Sequence, residues 1–207
     1  MINRLIKLDG TFNFRDIGGY ETADGRRVVC KKLYRADALN KLTDADLKRL
    51  CEMDIQTVVD FRMAAEQAAQ PDRVPDKARL ITLSPIAAVA AQASASAAQD
   101  DAKKLEYLEK AASSGKLSAV SPMIGQMREL VTEKSAMDAF GAFLRLIIDK
   151  NAVPLVFHCK GGKDRTGWAA ALTLCLLGVP RETVLADYML TAEYGKQRND
   201  HRMAQYR

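Results

Sequence analysis

The chain has 207 residues, 48% of them hydrophobic and 28% charged, a composition that argues against both a disordered and a fibrous protein and suits one sizeable core in a single domain. Its net charge of +5 and a pI near 9.0 suit anionic ligands, yet the Lys and Arg residues are scattered and form no basic arm for nucleic acid. No run of about 18 apolar residues is present, the start "MINRLIKLDGTFNFRD" lacks a secretory leader pattern, and the expectation is a reduced, cytoplasmic, soluble protein.

Four short apolar segments read as buried strands: Arg27 to Tyr34, Ile55 to Phe61, Arg79 to Leu83 and Val153 to His158. Helical patterns lie between them, so the alternation predicts an α/β fold around a mostly parallel sheet. Thr43 before "DADLKRLCEM" is a helix N-cap with Asp46 three residues on, and Leu47, Leu50 and Cys51 form the expected apolar stripe. From Ile86 to Ser114 the chain is rich in Ala, Ser, Gln and Lys, with high helix propensity and a poor apolar face. With the residues up to 122 it reads as a helical lid, an insertion or a plain surface helix. A second helical region follows, whose Met123, Met127, Leu130, Val131, Phe140, Phe143, Leu144, Ile147 and Ile148 have core spacing.

The four cysteines (Cys30, Cys51, Cys159, Cys175) show no C-x-x-C pair, and with only His158 and His201 no histidine-based metal site is expected. The stretch "VFHCKGGKDRTGWAAALTL", Val156 to Leu174, concentrates the chemistry. It is not a nucleotide-binding G-x-x-x-x-G-K-[ST] loop, because Phe157 and Asp164 occupy positions that need Gly and Ser or Thr. Nor do Gly161, Gly162 and Gly167 have dinucleotide-fingerprint spacing. Cys159 and Arg165 bracket five residues instead. A backbone of that length can curl with its N–H groups inward, a nest for a tetrahedral oxyanion, and Gly161 and Gly162 tolerate the positive φ such a ring demands. The loop runs into a helix at Thr166 and Gly167, which sets a helix N-terminus against the anion. Arg165 offers a planar fork for two phosphate oxygens.

Inward amides and a helix N-terminus favour a Cys159 thiolate, the form that attacks phosphorus. Thr166 carries a hydroxyl placed to donate to that sulfur as it leaves, and His158 orders the loop by hydrogen bonds. Spacing alone says little: Cys175 and Arg181 also form Cys-x5-Arg, in "CLLGVPR", without a glycine pair, lysines or a preceding strand. The weight lies in the conjunction of strand, His-Cys, Gly-Gly, Lys, Arg-Thr-Gly and helix.

"HCKGGKDRTG" resembles the signature of cysteine-dependent protein tyrosine phosphatases, and most closely the bacterial group with an HCxxGKDRTG loop and mixed protein and phosphoinositide activity. "FNFRDIGGY", "DGRRV", "LYRADAL", "LTDADLKRL", "VVDFRMAAE" and "ADYMLTAEY" resemble that group's blocks in the same order, so the likeness covers most of the chain outside residues 86 to 122. It implies a central twisted sheet flanked by helices, Cys159 as nucleophile and Arg165 as phosphate clamp. It implies Asp164 as general acid, since no Trp-Pro-Asp occurs, with Asp72 and Asp76 as alternatives that otherwise read as turn residues. Lys160 and Lys163, flanking Gly161 and Gly162, are similar to the paired lysines of phosphoinositide 3-phosphatase loops and, with Gly167, are assigned to substrate binding. Asp60, Arg62, Arg15 and Asp16 form a second tier, with Asp60 either buttressing Arg165 or holding the N-terminal loop by an ion pair. The chain stops at Arg207, where members of that group commonly continue through further helices. The expected function is a phosphomonoesterase without metal or cofactor, acting on phosphotyrosine proteins, with phosphoserine and phosphothreonine proteins as further substrates, and/or on phosphoinositides at a membrane surface. The competing classes are a phosphate-binding module without turnover and another Cys-loop enzyme such as a sulfurtransferase or arsenate reductase.

Overall fold

The computed structural model describes residues 4–85, 120–196 and 200. Five strands form one sheet: β1 (Arg15–Asp16), β2 (Leu33–Ala36), β3 (Thr57–Asp60), β4 (Arg79–Thr82) and β5 (Leu155–His158). Their order is β1-β2-β5-β3-β4; β1 is antiparallel to β2 and every other pairing is parallel. The helices are α1 (Asp44–Glu52), α2 (Ala64–Ala69), α3 (Val120–Thr132), α4 (Lys134–Leu146), α5 (Asp164–Leu176) and α6 (Arg181–Tyr194). This is the α/β architecture with a mostly parallel sheet that the alternation of patterns predicts.

The period of two in each strand divides the core. Leu33, Val59, Leu155 and Phe157 face one side, where they pack with Phe61, Leu130, Phe140, Phe143 and Ala169 under α3, α4 and α5. The rings of Phe61 and Phe143 meet edge to face at 5.4 Å and those of Phe143 and Phe157 at 4.9 Å. Each such fully buried ring contributes about 1.5–3 kcal/mol. Tyr34, Ala36, Val58 and Val156 face the other side, against Phe14, Leu39, Leu42, Leu50 and Ile55 beside α1. The centre of the sheet is therefore apolar on both faces, as a parallel sheet covered by helices requires.

Helix α1 begins as the sequence predicts. Thr43 accepts from the Asp46 N–H at 3.1 Å while Asp46 accepts from the Thr43 N–H at 2.9 Å, and the same carboxylate takes the N–H groups of Asp9 and Gly10 at 2.9 Å each. One cap thus ties the N-terminal segment to the helix.

Several expectations are corrected. The strand expected at Arg27 to Tyr34 is β2, Leu33–Ala36; Arg27 makes an isolated bridge to Glu21, and Val29 is exposed. β4 is an exposed edge strand, because among the described residues nothing but β3 pairs with it. Cys51 is exposed, since α1 turns its Leu50 edge inward. Val131 and Ile148 are exposed as well: Val131 lines a cavity, and Ile148 lies beyond the end of α4. The candidate lid lies outside the described residues, apart from its last three, which open α3.

Candidate active site

The carboxyl ends of β2, β3 and β5 lie side by side, with Ala36 and Asp60 both in register with His158. Open α/β sheets gather their ligands at this edge. Three connections converge there: Asp37 onward after β2, Phe61 onward after β3, and the Cys159 to Lys163 loop after β5.

The loop's shape follows from where its carbonyls go. Lys160 O accepts from the Ala38 N–H at 3.4 Å. Gly162 O accepts from Asn13 Nδ2 at 3.1 Å and from Arg35 Nη2 at 3.0 Å. Across a trans peptide the C=O and the next N–H point in opposite directions. The N–H groups of Gly161 and Lys163 therefore point away from these partners, toward the side where an anion would sit. Gly162 has φ +61°, and a Cβ there would stand 2.6 Å from Ala36 O, so both conformation and closeness demand glycine. Only Gly162 of the glycine pair takes positive φ; Gly161 does not need it.

Helix α5 begins at Asp164, two residues before the expected Thr166, so Asp164, Arg165 and Thr166 form its first turn against the loop. Cys159 is 3% exposed at the floor. Arg165 donates from Nη1 to Glu66 Oε2 at 2.7 Å and from Nη2 to Glu66 Oε1 at 3.1 Å, and Nη1 also reaches Phe61 O at 3.2 Å. Burial alone would pull Arg165 down, but the Glu66 hydrogen bonds and the neighbouring Cys159 charge hold it above the usual guanidinium value. Burial likewise raises Glu66, and the Arg165 pairing outweighs it, leaving that carboxyl below its usual range. The buttress of Arg165 is thus Glu66, not Asp60. Glu66 had a local signal only as a helix-start residue, since its Oε2 accepts from the Met63 N–H at 2.9 Å.

Asp60 pairs instead with Arg62, at 3.0 Å from Nε and 2.8 Å from Nη2, and the same Nη2 lies 2.7 Å from Asp72. His158 places Nε2 2.9 Å from Asp72 Oδ2, out of line for a straight hydrogen bond, and Nδ1 3.3 Å from Cys159 O. Asp60, Asp72 and His158 bring ligand-type atoms within 4.8 Å of one another, but the Arg62 guanidinium already stands between the carboxylates as their cation. Asp72 is therefore a buried ion partner that also accepts from the Leu39 N–H at 3.0 Å, rather than a turn residue; Asp76 sits in an exposed turn.

Arg15 is buried away from the loop's mouth. Its Nε lies 3.3 Å from Asp187 Oδ1, while Arg35 Nη1 lies 2.8 Å from Asp187 Oδ2 and the Tyr20 hydroxyl donates to Oδ1 at 3.0 Å. Asp16 accepts from the N–H groups of Gly18 at 2.7 Å and Lys31 at 2.6 Å, a turn-fixing role. Burial, then the nearby Arg15 charge, pull Arg35 down to about 10, which leaves it protonated at neutral pH. Gly167 serves packing: a Cβ there would stand 2.5 Å from the Tyr188 ring.

Asp164 and Lys163 line a cavity of about 580 Å³ together with Ile124, Met127, Val131, Arg128 and Tyr188. Burial, then the adjacent Asp164 carboxylate, raise the Tyr188 hydroxyl above the ordinary tyrosine value. Lys160 and Lys163 are both exposed, and Lys163 Nζ stands 3.7 Å from Asp164 Oδ1. Among the described residues Thr166 Oγ1 is buried without a hydrogen-bond partner. Asn13, Arg35, Glu66, Asp187 and Tyr188 were not singled out from sequence, although all five lie in the quoted family blocks. Nothing in their local pattern points to a loop far away in the chain.

A cysteine loop with outward carbonyls at the carboxyl edge of a parallel sheet has the shape of an oxyanion nest. Residues 6–207 match the model of the tyrosine phosphatase family, and the chain belongs to that family of phosphoric monoester hydrolases. It is 30% identical over 205 residues to a Cupriavidus necator protein named as a tyrosine-protein phosphatase, covering 96% of this chain and 67% of that one. It is also 30% identical over 193 residues to the triple specificity protein phosphatase PtpB of Mycobacterium tuberculosis, covering 88% and 67%. A solved structure of P. aeruginosa TpbA with a Cys to Ser substitution, in complex with phosphotyrosine, aligns over 91% of this chain and 78% of that chain, with 17% identity and a TM-score of 0.40. Among the described residues no helix is long and apolar enough to cross a membrane.

Proposed function

We propose that the protein hydrolyses phosphate monoesters through a cysteinyl-phosphate, with the loop from Cys159 to Arg165 as its active site. The observation that carries this reading is the outward tethering of the Lys160 and Gly162 carbonyls above a buried Cys159, with Arg165 locked by Glu66 beside it. Cys159 Sγ attacks phosphorus in line: the S–P bond forms, the P–O bond to the leaving group breaks, and Asp164 delivers the proton to the departing oxygen. Water then attacks the phosphorus, Asp164 takes its proton, the S–P bond breaks, and Thr166 donates to the released sulfur. The loop amides and Arg165 hold the equatorial oxygens, supplying the positive field that the transition state needs.

The cavity beside Asp164 indicates the leaving group. Ile124, Met127, Val131 and Tyr188 give it apolar walls, which favour an aryl ring and disfavour burial of a polyhydroxylated ring. Phosphotyrosine is therefore the first substrate class. Arg128 and Lys163 on the same rim support a second reading in which an additional phosphate is read, as on a phosphoinositide, and the relative named for triple specificity is consistent with both.

The test uses the full chain with phosphotyrosine peptides, phosphoserine peptides and phosphoinositides. Cys159→Ser abolishes turnover and still binds inorganic phosphate, whereas turnover surviving in that variant sinks the mechanism. Asp164→Asn slows aryl phosphates with poor leaving groups by about 10²–10⁴-fold and spares those with good ones. Equal loss across the series removes Asp164 from the acid role.

A further inference from the structure

We propose that Asn13 and Arg35 are positioning residues of the phosphate loop: together they hold the Gly162 carbonyl and thereby aim the Lys163 N–H at the bound anion, with Asp187 fixing Arg35 in turn. This rests on the loop reading above and adds to it residues from β1's approach, β2 and α6.

The geometry leaves Gly162 little freedom. Its carbonyl receives two side-chain donors, Asn13 Nδ2 at 3.1 Å and Arg35 Nη2 at 3.0 Å, both from residues at most 1% exposed. The orientation of the Asn13 amide is itself determined, because its Oδ1 accepts from Arg15 Nη1 and only the NH₂ remains for Gly162. Turning the Gly162–Lys163 peptide over would bury a carbonyl away from its donors and strand two donors at once. Gly162 takes φ +61°, and Ala36 O approaches to 2.6 Å of where a Cβ would be, so the backbone is pressed from behind as well.

Charge points the same way. Arg15, Arg35 and Asp187 are 0%, 0% and 2% exposed, so two guanidinium groups share one carboxylate in a buried cluster. Among the described residues the other hydrogen bonds of the cluster are made with neutral groups: the Tyr20 and Thr191 hydroxyls, the Asp187 carbonyl, Asn13 Oδ1 and the Gly162 carbonyl. A surplus buried cation is costly unless a negative group lies near. Arg35 touches the loop with the same guanidinium that binds Asp187, so the surplus is delivered to the rear of the anion nest.

The experiment measures inorganic phosphate binding by calorimetry on the full chain carrying Cys159→Ser, alone and combined with Asn13→Ala, Asn13→Asp or Arg35→Lys. Turnover of an aryl phosphate is measured with the same three changes beside an intact Cys159. Asn13→Ala is expected to weaken phosphate binding about 3–10-fold and to lower kcat/KM at least as much, as loss of one hydrogen bond implies. Asn13→Asp, which sets an acceptor against the carbonyl, loses more. Arg35→Lys keeps the charge but cannot reach Asp187 and Gly162 together, and loses about 10–100-fold. A residue that served only stability would lower Tm and leave the phosphate affinity of the folded protein unchanged. Affinity within twofold of the parent in folded Asn13→Ala and Asn13→Asp overturns the proposal; these variants decide if Arg35→Lys does not fold. Failure of the Cys159→Ser parent to bind phosphate overturns the loop reading and this inference together, whereas normal binding by the parent with unaffected Asn13 variants overturns the inference alone.

Discussion

Two buried charge clusters flank the Cys159 to Arg165 loop, and they have opposite compositions. Behind Gly162, two guanidinium groups, Arg15 and Arg35, surround the single carboxylate of Asp187. Beneath His158, two carboxylates, Asp60 and Asp72, share the single guanidinium of Arg62 and lie against the histidine ring. The first cluster donates directly to a loop carbonyl; the second meets the loop through the His158 ring near Cys159 O. Buried ions of one sign in excess are tolerated where the opposite sign arrives from elsewhere. The cationic cluster therefore sits where the proposed function places an anion, and the anionic one sits where the chain must be pinned: Arg62 also donates to Gln70 O at 2.8 Å, tying the end of β3 to the segment carrying Asp72.

The largest effect expected from this contrast comes from Arg62→Ala. It strands two carboxylates that are 1% and 0% exposed and is expected to cost about 3–5 kcal/mol in urea unfolding. A cost under 1 kcal/mol would mean that water or His158 already satisfies those carboxylates, and the contrast between the clusters would fail. Next is Gly167→Ala, whose new Cβ would stand 2.5 Å from the Tyr188 ring and 3.4 Å from Arg35 Nη2. Overpacking here is expected to cost about 1–3 kcal/mol. Because α6 carries Asp187 beside Tyr188, phosphate affinity should fall along with Tm. A drop in Tm alone would separate α6 packing from the cationic cluster.

The smallest and broadest effect is the response to acid. Burial works to raise Asp72, Asp187 and Glu66, but the His158 ring and then Arg62 beside Asp72, Arg15 and Arg35 beside Asp187, and Arg165 beside Glu66 outweigh it, and all three carboxyls are depressed. A depressed folded value means that the unfolded chain binds protons first. The stabilisation is complete above the unfolded carboxylate range near pH 4 and is lost as pH falls through the lower folded values. Unfolding free energy measured from pH 7 to pH 2 should stay level and then fall; a rise on acidification would contradict the assigned partners.

Local physics was legible in the chain. Thr43 and Asp46 announce α1 because a cap is a contact across three residues. The Cys159 to Arg165 spacing, the glycines and the helix behind them mark a candidate anion loop because these residues adjoin in the chain, and the structure does place α5 directly after the loop with Gly162 at positive φ. Strand limits were less legible, since the apolar residues from Val28 to Leu33 satisfy a strand pattern while pairing begins only at Leu33. The exposure of Cys51 and Val131 was illegible for a similar reason: helix period marks a face, and only packing tells how wide the buried face is.

What the sequence by itself determined is the chemistry at the centre: a thiol, a guanidinium, a carboxyl and a glycine-bent backbone within seven residues, held together by covalent connectivity. What only the tertiary structure decided is the identity of their supports. Glu66 reaches Arg165 across 99 positions, Arg35 reaches Gly162 across 127 and Asn13 across 149. Contacts of that separation leave no periodic trace in the chain, because they arise only when parallel pairing brings the carboxyl ends of β2, β3 and β5 to one edge.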